Sequence, residues 1–182
     1  MRFVITGEWS RNRLLQTIVV CYSFYVALLW VTNALLYFHK MNLHPSSVVR
    51  YYLGSPEEFL NPRSYQGLLE VSHFHLFAMG ILLLVLTHLM LFVPLRSGWK
   101  ALLIAIPFGA ALLDEGSGWL VRYGGAAFAP LKVAGFVLLQ GSLAALVGIS
   151  LWSVFGGSAR HYRGPEGEAG PAEWSSHADA GD

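Results

Sequence analysis

The sequence predicts an all-α integral membrane protein: a four-helix bundle with both termini cytoplasmic and a helical outer-face loop between helices 1 and 2. Three observations predict it. Hydrophobic residues make up 54% of the 182 residues and charged residues 13%, where soluble domains carry roughly 25% charged. The charge is also uneven, because Thr17–Phe38, Val71–Leu95 and Val133–Phe155 hold none and Ala101–Val121 holds only Asp114 and Glu115. Finally, each run reaches the roughly 20 residues that a helix rising about 1.5 Å per residue needs to cross about 30 Å of hydrocarbon. Lipid-spanning strands alternate apolar and polar positions instead. The single cysteine, Cys21, excludes a disulfide scaffold. A formal net charge of +1 without a basic cluster excludes nucleic acid as a partner.

The elements follow in order. Residues 1–16 form a cytoplasmic segment, and the bundle covers 17–155. The first span, 17–39, is too long for a signal-peptide core, and Tyr37-Phe38-His39-Lys40 offers no small-residue cleavage site. Residues 40–67 make an external loop too long to be structureless. Within it, Ser46-Ser47 can cap a turn presenting Val48, Val49, Tyr52 and Leu53. Ser55-Pro56-Glu57-Glu58 reads as a capping box with proline at the first helical position. Tyr51, Tyr52 and Tyr65 suit headgroup depth. A tight turn at Arg96-Ser97-Gly98 separates the second span, 68–95, from the third, 100–121, which Pro107 should kink. A short connection through Gly124-Gly125 leads to the fourth span, 131–155. There the pairs Gly141/Ala145 and Ala144/Gly148 admit a close neighbour, inside the bundle or from another protein. The tail, 156–182, is rich in Gly, Pro, Ala and acids and is expected to be cytoplasmic and docked on partner subunits. Seven lysines and arginines fall on the terminal side and five on the loop side. That bias puts loop 40–67 on the outer side of a bacterial inner membrane.

Ionisable residues inside a membrane mark function by default. Antiparallel packing brings His39 and His44 to the same depth as His73 and His75. At about 100° per residue, His73 and His75 diverge by about 200° on a regular helix. His88 follows His73 by fifteen residues, about 60° off the same face and about 22 Å along the axis. If the chain were extended at Ser72–Phe74, His73 and His75 would share a face. With His39 or His44, and Glu70, they would then suit a non-haem ion. Asp114 and Glu115 interrupt the third span toward the loop side, which is costly unless they are paired, protonated or wet. Arg122 lies two turns beyond Glu115 on nearly the same face, and Lys132 opens the next helix at the same level. One reading makes the acids a proton or quinone-headgroup site. The other breaks the helix at Gly116-Ser117-Gly118 and leaves them in salt bridges at a wet end.

With four spans, Ser72-His73-Phe74-His75-Leu76-Phe77, Thr87-His88-Leu89 and His39 at the facing end, the bundle resembles the small membrane-integral cytochrome b subunits of redox complexes. The resemblance implies a b-type haem ligated by His39 and either His73 or His75. A second haem would use His88, with His161 or another subunit supplying its partner. It further implies a membrane anchor that carries electrons between the quinone pool and an external redox partner, a carrier subunit rather than a complete enzyme. Two other functions fit the same features: a cofactor-free accessory subunit of a respiratory or photosynthetic complex, and a membrane protein with a histidine-ligated metal ion.

Overall fold

The computed structural model describes residues 13–93 and 95–156. The expectations for the tail and for His161 lie outside the described residues. Helix α1 covers Arg13–Lys40, α2 Pro45–Leu53, α3 Tyr65–Leu89, α4 Ser97–Trp119 and α5 Ala129–Gly156. A 3-10 turn, Met90–Phe92, extends α3, and a π-helical turn, Leu120–Gly124, extends α4. No strand occurs among the described residues, and the four long helices are each long and apolar enough to cross a membrane. The fold class is the one the charge-free runs predict.

Helices α4 and α5 pack most intimately, α1 leans on α5, and α3 leans on α4. One end of the bundle, here the terminal face, carries the starts of α1 and α4. The other, the loop face, carries α2. Toward the terminal face the core is aliphatic, built from Val26, Leu83, Leu86, Met90, Leu143 and Leu146. Lipid is as apolar as leucine, so dispersion contacts and interhelical hydrogen bonds hold this half together. Tyr22 donates to the Leu82 carbonyl at 3.1 Å, and the Trp30 indole donates to the Gln140 carbonyl at 2.9 Å. Toward the loop face a second cluster joins Tyr37, Met41, Val48, Tyr52, Val121 and Phe136. Here Tyr37 stacks on Phe136 with ring centroids 3.7 Å apart.

The loop-face cap forms only in part as the sequence suggests. Helix α2 starts with Pro45 in its first turn, where its missing N–H costs nothing. It buries Val48 and Tyr52, one turn apart. The Ser55-Pro56-Glu57-Glu58 signal yields only a single 3-10 turn, and Ser55 makes no side-chain cap. Phe59 ends that turn in the left-handed region at φ 55°, and Leu60 pairs back on Ser55 through two backbone hydrogen bonds of 3.0 Å. Reversal so soon after Pro56 leaves no length for a helix. The break at Gly116-Ser117-Gly118, one of the two readings of the acidic pair, does not occur either, since α4 runs through it. In α5, Gly141, Ala144, Ala145 and Gly148 face out of the bundle. Close approach occurs at Gly135 instead, where an added Cβ would sit 2.8 Å from both Cα and N of Asp114.

Candidate functional site

Between α1 and α3, toward the loop face, lies a cavity of about 520 Å³. Asn33, Leu36, Tyr37 and Lys40 of α1 form one wall, and Leu68, Val71 and His75 of α3 form the other. Asp114, Glu115 and Gly118 of α4 with Lys132 and Phe136 of α5 form the floor. A roof of α2 and residues 60–64 covers it. Several contacts fix this roof. Arg63 N–H donates to the Tyr52 carbonyl at 3.1 Å, Arg122 Nε donates to the Arg63 carbonyl at 2.7 Å, and Arg50 pairs with Glu58 at 3.2 Å. The Arg63 guanidinium also lies 4.0 Å from the Tyr51 ring centroid.

Tyr52 reaches down from the roof onto α4. A Cβ at Gly118 would meet its hydroxyl at 2.8 Å, so the ring lies against α4 only because that position is glycine. Burial pushes the Tyr52 phenol above its ordinary range.

Two charged clusters occupy the floor. Ser72 and His75 are three apart on α3, and Glu115 and Trp119 four apart on α4, so each pair shares a face. Across the α3–α4 seam the Ser72 hydroxyl donates to Glu115 Oε1 at 2.5 Å, and the Trp119 indole donates to Ser72 Oγ at 2.7 Å. His75 Nδ1 stands 3.4 Å from Glu115 Oε2. The second cluster is Lys132 with Asp114. Lys132 is 6% exposed and donates to the Asp114 carbonyl at 2.8 Å, with Nζ 2.9 Å from Oδ1. The contact to Oδ1 lies off the hydrogen-bond direction, so it acts as an ion pair and not as a directed bond. Both acids are therefore partnered at membrane depth, by groups on neighbouring helices.

Of the described histidines, only His75 lines this cavity. His39 is exposed in the last turn of α1, and His44 is exposed just before α2. His73 and His88 are exposed along α3, their rings edge-on to Phe74 and Phe92. The helix is continuous through Ser72–Phe74, so His73 and His75 diverge as helical geometry requires. No three His, Cys, Asp or Glu residues converge on a point that suits an ion, among the described residues. With Nδ1 on Glu115, His75 keeps Nε2 free, and a carboxylate orienting a ligating imidazole is the usual supporting arrangement. Among the described residues no second imidazole lines the cavity.

Arg122 stands outside the lining and serves the roof. Ser72 and Trp119, which tie the acid to the imidazole, carry no signal in the sequence beyond their helical spacing from His75 and Glu115.

Residues 42–162, two-thirds of the chain, match a family described as a transmembrane helical domain. No curated protein and no solved structure matches the chain.

Proposed function

The chain belongs to that family of transmembrane helical domains, and we propose that this member is an electron-transfer subunit of a membrane redox complex whose loop-face cavity takes the head group of a quinone. One observation carries the reading: an imidazole–carboxylate pair, His75 and Glu115, opens into a cavity between two membrane helices. Oxidation of a hydroquinone to the quinone releases two electrons and two protons. A base within reach of the hydroxyl lowers the barrier to losing each proton. His75 is the base here, Glu115 holds it in orientation, and Ser72 and Trp119 hold Glu115. The Lys132–Asp114 pair sets a positive charge beside the floor, where a quinone carbonyl or phenolate oxygen would rest. The same groups serve the reverse reaction.

The electrons need an acceptor, and the resemblance to cytochrome b subunits supplies one in a b-type haem, which carries one electron at a time. With its remaining nitrogen on the quinol, His75 leaves haem ligation to the outward-facing histidines. Ligation by His39, His73 or His88, which face outward, takes a second imidazole from a neighbouring subunit, as a complex would provide. In this reading the loop face is the outer side of a bacterial inner membrane, and protons leave there.

The test is extraction of the protein from native membranes, followed by pigment and quinone analysis. A reduced α-band that persists in His75→Ala but is lost in His39→Ala, His73→Ala or His88→Ala supports haem on the outward-facing histidines. Bound quinone that falls at least roughly tenfold in Glu115→Gln supports the head-group site, because His75 then loses the carboxylate that orients it. Protein that carries neither chromophore nor quinone refutes the reading.

A further inference from the structure

Below the main cavity lies a second one of about 100 Å³. Asn33, His75, Asp114 and Glu115 line both, so these four residues form a neck between them. The two spaces differ in chemistry. The upper one carries Lys40, Arg50 and Arg63 at its rim and the ionised floor at its base. Beneath the neck the lining is aliphatic and aromatic, including Met79, Phe108 and Ala111. Its lower end is closed by Leu83 and Leu139, which are 1% and 3% exposed. Leu83 lies eighteen residues into α3, roughly 27 Å along the axis from Tyr65, so the slot reaches the middle of the bundle.

A polar chamber joined through a neck to an apolar slot that is closed at its lower end matches the shape of an amphiphile. We infer that the lower slot seats the first few carbons of a hydrocarbon chain whose polar head occupies the upper chamber. The ligand is therefore a chain-bearing lipid-soluble molecule and not a free head group or a water-soluble ion. A slot of about 100 Å³ has room for only a short stretch of chain. A longer chain leaves toward lipid past Leu76 and Leu112, which line the slot and are 51% and 62% exposed, respectively for Leu76 and Leu112. This deepens the proposed quinone reading and rests on it for the identity of the head.

Gly80 supplies the test. It lines the slot, and a Cβ built there meets no atom within 4 Å, so a side chain can be added into open space. Native-membrane nanodiscs of the wild type, Gly80→Ala and Gly80→Leu are extracted, and bound amphiphile per protein is measured by mass spectrometry. Wild type and Gly80→Ala should retain one chain-bearing amphiphile, and Gly80→Leu should retain roughly tenfold less, the penalty of overfilling a packed site. Ala111→Leu, from the facing wall, should do the same if Gly80→Leu does not fold. Equal retention in wild type, Gly80→Leu and Ala111→Leu overturns the slot, as does wild type that retains no amphiphile. A retained amphiphile with a head other than a quinone, lost in Gly80→Leu, upholds the slot and refutes the quinone reading.

Discussion

Replacing Lys132 with methionine keeps the length of the side chain and removes its charge. Lys132 is 6% exposed, and its ammonium is within 2.9 Å of two oxygens of Asp114, one carboxylate and one backbone. Removal leaves the carboxylate without its counter-charge at membrane depth. Breaking a buried pair in this way costs about 3–5 kcal/mol. The Asp114 side chain is 19% exposed and borders the cavity, so part of the charge stays hydrated and the lower end of that range applies, about 3 kcal/mol. For a chain of this size, that is roughly a 6–12 °C fall in unfolding midpoint. Asp114→Asn in the same background removes the stranded charge and should restore most of the loss, while Asp114→Asn alone leaves a buried ammonium and should be destabilising. Thermal unfolding of all four proteins in one detergent closes the double-mutant cycle. A Lys132→Met protein within about 1 kcal/mol of wild type, or a double variant no better than either single one, refutes the claim that this pair ties α4 to α5.

Two further perturbations read other parts of the fold. Gly135→Ala places a Cβ 2.8 Å from backbone atoms of Asp114, which cannot move aside as a side chain can. It should cost about 1–3 kcal/mol, seen as a lower unfolding midpoint, whereas Gly141→Ala, facing open space, should cost almost nothing. Tyr52 tests the pH dependence. Its phenol is raised in the fold by burial, so its stabilising contribution is complete below the ordinary value of about 10 and is lost as pH rises through the higher folded value. Wild type should therefore lose stability on going above about pH 10 more steeply than Tyr52→Phe does, followed by unfolding midpoint against pH.

The spans were legible because the cost of a charge in hydrocarbon leaves a plain mark on the sequence. The start of α3 was placed less well: Ser64 accepts the Gly67 N–H at 3.1 Å as an N-cap and begins the helix at Tyr65, ahead of the expected span from 68. The divergence of His73 and His75 followed from helical pitch alone. Which of the two meets Glu115 at the cavity did not, because that depends on where α4 packs, a property of the whole bundle. The same holds for the acids. Asp114 and Glu115 are adjacent and so point about 100° apart, and each finds a partner on a different helix, Lys132 on α5 and Ser72 with His75 on α3. Arg122 falls in the π-helical turn Leu120–Gly124, outside the cavity lining. Its guanidinium serves the Arg63 carbonyl instead. The capping-box pattern misled for a local reason: it describes how a helix can begin, and the chain reverses at Phe59 before one can be built.

The two halves of the bundle solve the membrane problem differently, and the difference bears on function. The terminal-face half is closed by leucine, valine and methionine contacts and needs no charge to hold it. The loop-face half could be filled the same way, and apolar replacement of a buried ion pair is commonly neutral or stabilising by about 1–4 kcal/mol. Stability is thus a poor reason for four ionisable groups on the floor of one cavity. Their arrangement supports another: Glu115 is bonded so that His75 keeps a free nitrogen, and Asp114 is neutralised by Lys132, so the floor offers an acceptor and a cation side by side with neither acid left as a bare charge. A double variant, Asp114→Leu with Lys132→Leu, separates the two reasons. It should unfold at or above the wild-type midpoint while losing bound quinone, whereas a purely structural pair would leave quinone retention as it was.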